Sequence, residues 1–353
     1  MDRTGADGRI ASAPVRPTLS VLIVAYDSRD DLTKTLPALL AELSDGDELI
    51  VVDNKPGDGS AELVRELAPT ARIVEPGGNS GFAGGCNAGA AEASGDLLVI
   101  LNPDAAPRPG FGEAIRRPWV EERGWDAWQA LVTDGRGELV NSAGNPVHFT
   151  GIVWAGDHGR PLGETPASEV TAASGACLAI SLESWRRLDG FPAEFFMYHE
   201  DVDLSVRLWS AGGAVGIEPS AVVAHAYEFG ANADKWRWLE RNRLAFLVRT
   251  YPGTLLLLLA PALLATELAL LAVAAAGGWG GQKLRADLEF LRWLPRLLRE
   301  RREVQARRTI PAGEFAARLT PDLDSELISP LVRSWPARML LRGYWRLVRL
   351  LLR

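Results

Sequence analysis

The chain has 353 residues, 47% of them hydrophobic, enough for two domains or for one large domain with an extension. Two cysteines, Cys86 and Cys177, exclude a disulfide framework and point to a reducing compartment. The net charge of −7 is unevenly spread: residues 251–353 hold 16 Lys and Arg against 9 Asp and Glu, and the remainder holds 22 against 36. An acidic body with a basic tail suits a soluble part and a tail that meets an anionic surface. The tail's Leu and Trp content favours lipid over nucleic acid as that surface.

Residues 1–17 have no apolar core and are expected to be a disordered leader, not a secretory signal. Leu19–Ala25 is a short apolar run and predicts a buried strand. A helix is expected near Asp30–Leu43, a strand at Glu48–Val52 ending in Asp53, a helix near Ser60–Leu67 and a strand near Arg72–Val74. Gly77–Gly89 opens a helix to about Ala93, and Asp96–Leu101 is the fourth strand. Strands alternating with helices predict βαβ units and a mainly parallel sheet. Beyond it, Trp125–Val132 and Val170–Ile180 are expected strands, Gly135–Pro161 is turn-rich, and Leu182–Leu188 and Glu200–Ala211 are helical. Ala214–Val223 holds the last strand signals, and Lys235–Thr250 is a basic, aromatic helix.

Leu255–Ala276 is almost wholly apolar, interrupted only by Pro261, Thr266 and Glu267, and long enough to cross a bilayer. Two amphipathic basic helices follow it. In the first, Leu284, Leu288, Leu291, Leu294 and Leu298 recur opposite Arg285, Arg292, Arg296 and Arg299. In the second, Arg338, Arg342, Arg346, Arg349 and Arg353 form one stripe.

The first strand runs into Ala25-Tyr26-Asp27-Ser28, without the glycines that a dinucleotide fingerprint needs there, and no Walker motif is present. Asp53, at the end of a parallel strand, faces the crevice where such sheets bind ligands, or else begins an Asx turn. The glycine-rich stretch Asn79–Asn87 precedes a helix, where close backbone approach and the helix dipole suit a diphosphate; a bare turn is the plainer reading. Asp104, in Asn102-Pro103-Asp104, could hold a hard cation bound to phosphate, or belong to a strand-end turn. Phe195–Leu204 gathers Tyr198, His199, Glu200, Asp201 and Asp203 at a helix start. A carboxylate there could deprotonate a hydroxyl, or the acids could simply complement the helix dipole. His225, alone, is more often structural; with Asp104 it could complete a metal shell.

Taken in order, these pieces resemble the family 2 glycosyltransferases, and among them the bacterial rhamnosyltransferase-type members. The matching text is VLIVAY at Val21–Tyr26, VVDN at Val51–Asn54, NSGFAGGCNAG at Asn79–Gly89, GDLLVILNPDA at Gly95–Ala105, SGACLAI at Ser174–Ile180, FFMYHEDVDLSVRLWSAG at Phe195–Gly212 and ERNRL at Glu240–Leu244. The resemblance implies an α/β glycosyltransferase-A fold: a Rossmann-like, mainly parallel central sheet flanked by helices. The catalytic domain would span 18–250, with a nucleotide-sugar donor half (18–105) and an acceptor half (106–250). Residues 251–353 would form a helical, membrane-associating extension.

The same resemblance implies roles. Ala25, Tyr26 and Asp53 would hold the nucleoside. Asn79, Gly81, Phe82, Asn87 and Asn102 would line the donor site. Asp104 would bind Mg2+ or Mn2+, with His225 as a further metal or diphosphate ligand. Asp201 would be the catalytic base, and Gly175, Tyr198 and Glu200 would lie on the acceptor side. The implied activity is inverting transfer of a sugar, rhamnose from dTDP-rhamnose as the first choice, from a nucleotide-diphosphate donor to a hydroxyl of a lipid-linked or cell-wall glycan. A UDP-sugar transferase (galactofuranose or N-acetylhexosamine) and a catalytically degenerate nucleotide-sugar-binding scaffold are the alternatives.

Two positions depart from the family pattern. Asn102 replaces the first acid of the aspartate-x-aspartate motif, and Pro192-Ala193-Glu194 follows Gly190-Phe191 where relatives often have Asp-Glu. The positive-inside tendency disfavours a single span at Leu255–Ala276, which would export the basic tail. The expectation is therefore an in-plane or re-entrant segment broken near Pro261, peripheral on the cytoplasmic face of the cell membrane and in contact with anionic lipid. A buried apolar helix is the alternative. Nucleic acid is not expected as a partner, and a homo-oligomer is left open.

Overall fold

Leu19–Ala25 forms β1, and its residues alternate between two cores. Leu19, Val21, Ile23 and Ala25 join one cluster, Leu22 and Val24 the other. A strand buried on both faces needs helices on both sides, and the chain supplies them. The structure is a computed structural model that describes residues 16–226, 234–324 and 334–353. The expected leader lies almost wholly outside the described residues.

Beside β1 run β2 (Glu48–Asp53), β3 (Arg72–Val74) and β4 (Leu97–Leu101), all parallel, in the order β3-β2-β1-β4. The sheet continues through β9 (Cys177–Ser181), β6 (Ala127–Asp134), β10 (Val215–His225) and β5 (Ala105–Pro107). The short β7 (Val140–Ser142) and β8 (Ser168–Glu169) pair at its flank. β9 is antiparallel to β4 and β6, while β6 and β10 are parallel. The ends of β1, β2, β4, β6 and β10 therefore all reach the same edge. Helices α1 (Arg29–Leu40), α2 (Ser60–Leu67) and α4 (Phe111–Val120) cover one face. Helices α3 (Gly81–Ala91), α5 (Leu182–Arg187) and α6 (Glu200–Ser210) cover the other.

Three expectations need correction here. The predicted strand Val170–Ile180 shrinks to β9, because the amides of Ala173, Ser174 and Gly175 bond to Ser205 Oγ, Gln129 Oε1 and Asp201 Oδ2 and not to a neighbouring strand. His225 is the last residue of β10 and does not follow it. The sequence reading also has no counterpart for β5 and α4. Their Pro-rich text looks like turn, yet Phe111, Ala114 and Ile115 are buried and Arg116 meets Asp47 in a buried pair at 2.5 Å.

The C-terminal part is helical: α7 (Lys235–Thr250), α8 (Gly253–Ala276), α9 (Gly280–Arg307), α10 (Ala312–Ala317) and α11 (Trp335–Leu351). α9 packs along α7. α11 returns to the body through Trp345, which stacks on Phe149 at 4.9 Å. The expected break near Pro261 is absent, and α8 is continuous through it. A proline removes one helical hydrogen bond, but packing on both sides outweighs that loss: Leu255 and Leu259 are buried before the ring, Ala274 after it. Nor is α8 a buried apolar helix, since only 6% of its most apolar window is covered.

Candidate active site

The sheet edge collects the residues that carry chemistry, and a chain of contacts links them. Asn54, just past β2, donates to the Gly81 carbonyl at 2.9 Å and accepts from Ser80 Oγ at 2.9 Å, pinning the glycine-rich turn to the sheet. Asn79 accepts from the Gly81 amide at 3.0 Å. Gly81 has φ +71°, and a Cβ there would stand 2.5 Å from the Phe196 carbonyl, so only glycine fits. That carbonyl accepts from the Ala83 amide at 3.0 Å. Phe82 lies against Gly175, where a Cβ would meet its ring at 3.3 Å.

Asp53 is buried, and its Oδ1 accepts from the Lys55 amide at 3.1 Å, the geometry of the Asx turn that was one of its two readings. Burial raises its carboxyl above the usual value. Tyr26 is exposed, with the Lys55 ammonium 5.2 Å from its ring centroid. Ala25, at the end of β1, is fully buried, and its carbonyl accepts from the Asn54 amide. Asn87 is engaged elsewhere: both ends of its amide bond the backbone of Phe191, at 2.8 and 2.9 Å, tying α3 to the loop after α5.

The turn after β4 brings Asp104 to His225, with Oδ1 and Nε2 3.1 Å apart, and Asn102 Nδ2 lies 3.3 Å from the same nitrogen. The Asp104 carbonyl accepts from the Ala226 amide, joining this turn to the end of β10. Two adjacent ligands of an octahedral cation with roughly 2.1 Å bonds stand about 3 Å apart. The pair thus has the spacing of two ligands on one metal. Among the described residues no group of three or more His, Cys, Asp and Glu could hold an ion. A cation here would take the rest of its shell from phosphate oxygens and water, as Mg2+ commonly does. Asp31, in the first turn of α1, also feels this pair. Burial raises its carboxyl, and the charge of Asp104 raises it further. The sequence reading gave Asp31 no role beyond a helix.

Asp201 stands in the first turn of α6. Its Oδ2 accepts from the Gly175 amide at 2.8 Å and its Oδ1 from the Val202 amide at 2.8 Å. Through Ala176, whose carbonyl accepts from the Asn102 amide at 2.9 Å, the Asp201 corner joins the Asp104–His225 corner. Burial raises the Asp201 carboxyl, opposed by those two amides. Burial pushes Glu200 well above the usual carboxylate range, and the charge of Asp201 adds to that. Glu200 Oε2 is buried with no hydrogen-bond partner among the described residues. Burial therefore favours the protonated form at both carboxyls, and the Asp201 charge adds to this at Glu200. Asp203 behaves oppositely. Burial pushes it up, but Arg249 and Arg207, at 3.0 and 2.5 Å, more than offset this and hold it below the usual range.

The loop that aims Glu200 and Asp201 is strained. Phe196, Tyr198 and His199 all have positive φ, at 66, 70 and 67°. Such non-glycine residues cost of order 1–3 kcal/mol each and persist only when their surroundings hold them. Helix α7 does the holding. Asn242 Nδ2 reaches the carbonyls of Phe195, Met197 and Tyr198 at 2.8–2.9 Å, and Arg241 donates to the Phe195 carbonyl at 2.9 Å. Trp238 lies against Phe196 at 4.9 Å. The sequence reading quoted this segment as ERNRL without giving Asn242 a role. A cavity of about 120 Å³ lies apart from this edge, between α9 and the loop 188–192.

Residues 20–139 match the sequence profile of glycosyl transferase family 2. Over 231 residues, 59% of this chain and 75% of the relative, the chain is 26% identical to an N-acetylglucosaminyl-diphospho-decaprenol L-rhamnosyltransferase of Mycobacterium tuberculosis. Residues 20–139 therefore carry a glycosyl transferase family 2 domain, and the relatives found for the chain are glycosyltransferases of that kind. The chain is also similar to a low-salt glycan biosynthesis hexosyltransferase of Haloferax volcanii, 26% identical over 204 residues, 54% of this chain and 61% of that one. In structure, the chain resembles GalNAc-T7, solved with UDP, GalNAc and Mn2+: TM-score 0.57, 15% identity, 68% of this chain and about half (49%) of that one. It also resembles Staphylococcus aureus TarS 1–349 with UDP: TM-score 0.50, 16% identity, 94% of this chain and 90% of that one. The fold is glycosyltransferase-A, with a mainly parallel sheet flanked by helices and an apolar C-terminal helix.

Proposed function

We propose that this family 2 glycosyltransferase is an inverting enzyme that moves a sugar from a nucleotide-diphosphate donor to a hydroxyl of a lipid-linked or cell-wall glycan, with Asp201 as the base. The observation that carries the proposal is that Asp201 and the Asp104–His225 pair share one open sheet edge, linked through Gly175, Ala176 and Asn102. Ala25, Tyr26 and Asp53 flank that edge on the side proposed for the nucleoside, and Asn54 holds the glycine-rich turn beside it through Ser80 and Gly81. The amides of Gly175 and Val202 fix the Asp201 carboxylate. Burial of Glu200 favours its protonated form and so opposes a second negative charge beside it. Asp201 takes the acceptor proton as the hydroxyl oxygen attacks the anomeric carbon opposite the diphosphate. General-base assistance of this kind is worth roughly 10²–10⁴-fold. A Mg2+ or Mn2+ ion held by Asp104 and His225 would neutralise charge on the departing diphosphate.

The M. tuberculosis rhamnosyltransferase, similar over most of its length, makes rhamnose from dTDP-rhamnose the first donor to try. The N-acetylglucosaminyl-diphospho-decaprenol on which that relative acts makes a polyprenyl-diphosphate-linked sugar the first acceptor to try. The basic, apolar extension supports work at the cytoplasmic face of a membrane. The test is a transfer assay with dTDP-rhamnose, UDP-N-acetylglucosamine, UDP-galactofuranose and GDP-mannose, with and without Mn2+, the product's anomeric configuration being read by NMR. Inverted transfer that needs the metal is expected. Retained configuration overturns the single-displacement mechanism, and no thermal stabilisation by any nucleoside diphosphate overturns the reading as a whole. Asn102 in place of an acid, with only two metal-binding side chains at the edge, favours a second reading as a degenerate sugar-nucleotide-binding scaffold. That reading requires nucleotide binding without turnover.

A further inference from the structure

We propose that α8 lies flat in an anionic membrane surface, with α9 and α11 beside it, and that Glu267 keys α8 to the catalytic body so that it does not cross the bilayer. This deepens the membrane placement proposed above and does not depend on donor, acceptor or base.

α8 has the length and apolar character of a span: 24 residues, mean hydropathy 2.3 over its most apolar window, and 6% of that window buried. Leu257, Leu264, Leu268 and Leu271 are exposed. On α9, Leu284, Leu291 and Leu298 are exposed, and so are Arg285, Arg292 and Arg299, each one residue further on. Both sets recur every seven residues, so a leucine stripe runs beside an arginine stripe. The leucines can enter the acyl boundary while the guanidinium groups reach lipid phosphates. α11 repeats the pattern with Leu340 and Leu347 exposed and Arg346 and Arg349 between and beyond them. Among the described residues these five arginines make no ion pair, whereas Arg296, Arg338 and Arg342 do. An apolar face edged by uncommitted positive charge complements an anionic bilayer better than a protein partner.

The case against a span rests on how α8 is attached. Near its start, Leu255 and Leu259 are buried and the Tyr344 hydroxyl donates to the Leu258 carbonyl. Near its end, Ala274 is buried. Between them, Glu267 pairs with Lys283 of α9 at 2.6 Å and with Arg243 of α7. Lys283 is fully buried and Arg243 nearly so, and Arg243 also donates to the Thr150 carbonyl at 3.2 Å, inside the catalytic body. A helix of this length is about 36 Å long, and it is fastened at its start, its middle and its end. Turning it across a bilayer would take Glu267 into hydrocarbon and leave Arg243 and Lys283 with one anion fewer.

Two measurements on the full chain test this. The first is co-flotation with vesicles of phosphatidylcholine alone or mixed with phosphatidylglycerol. The wild type should bind the mixed vesicles and leave them at high salt or alkaline pH. Leu264→Glu with Leu268→Glu should weaken binding by about tenfold or more per residue, with an unchanged melting temperature because both side chains are exposed. The second is reporter fusion at Gly281 and at Arg353 in cells, with both reporters expected in the cytoplasm. Reporters on opposite sides of the membrane overturn the flat arrangement. Failure to bind any vesicle, or a stable dimer in solution that the same double substitution dissolves, overturns the membrane surface and gives the face to a second copy. Neither measurement uses a sugar donor, so its failure is separable from failure of the transferase reading.

Discussion

Two regions of this molecule bury carboxylates and treat them in opposite ways. At the sheet edge, Asp201 is met by two backbone amides and Glu200 Oε2 by nothing described. Two residues further along α6, Asp203 is held by two arginines, and behind the C-terminal helices Glu240 and Glu267 share Arg243 and Lys283. Amides orient a carboxylate without neutralising it, so Asp201 keeps its affinity for a proton. Arginine and lysine lower that affinity at Asp203 and Glu240 and turn the acid into a fastening. Helix α7 serves both regions. Arg241 and Asn242 face the strained loop before α6, and Glu240 and Arg243 face α8 and α9. One four-residue segment thus connects the chemistry to the extension.

The sharpest way to break this contrast is Asp201→Asn. If the carboxylate is the base, transfer falls by roughly 10²–10⁴-fold, while melting temperature and nucleotide-induced stabilisation stay as in the wild type. Persisting turnover in a folded variant removes Asp201 from the mechanism. Arg243→Met probes the other kind of carboxylate. It leaves Glu240 and Glu267 to share the Lys283 ammonium in a buried setting and should cost about 3–5 kcal/mol in a denaturant titration. A loss below 1 kcal/mol (an exposed-pair value) would show that the network fastens nothing.

Asn242→Ala tests the link between the regions. The carbonyls of Phe195, Met197 and Tyr198 lose a shared donor, at a cost of about 1–3 kcal/mol. The expected signature is a reduced kcat with the donor KM unchanged, because the loop that aims Asp201 relaxes while the nucleoside side is untouched. Equal loss in both constants would assign Asn242 to general stability.

The smallest effect is on pH dependence. Burial holds His148 down to about 3 and His199 to about 4. The unfolded chain therefore takes up protons below about pH 6.5 that the folded chain refuses, and stability falls as pH falls from there toward 4. Glu200 gives the opposite slope. Its folded form keeps a proton that the unfolded form releases, so stability is lost as pH rises above the ordinary carboxylate range. Glu200→Gln should flatten that upper slope in melting curves and leave transfer within a few-fold. A large loss of activity would mean that Glu200 works as a charge.

Much of residues 18–105 is legible in the text because its signals are local. Leu19–Ala25 is seven residues from the apolar run to the strand end, and the strands of β1, β2 and β4 lie within one or two residues of their predicted bounds. Asp53, Asp104, Asp201 and His225 stand out as polar residues at the ends of such runs or at a helix start. The Val170–Ile180 error has a non-local cause. A strand-like sequence loses its ladder when its amides find Ser205, Gln129 and Asp201 instead, and those partners are 26 to 45 residues away. Asn242 was invisible for the same reason, because its acceptors lie 44 to 47 residues upstream.

By itself the sequence determined the periodicities, and hence the alternating strands and helices, the apolar helix and the two arginine stripes, because these depend only on neighbours within a turn or two. Tertiary structure decided which carboxylates stay reactive and which become fastenings, that Asn87 ties α3 to Phe191, and that α8 runs unbroken past Pro261 with Glu267 locked to Arg243 and Lys283. Each of those outcomes depends on which group stands opposite across a long loop, and burial, which sets the strength of every charge involved, exists only once the chain has closed on itself.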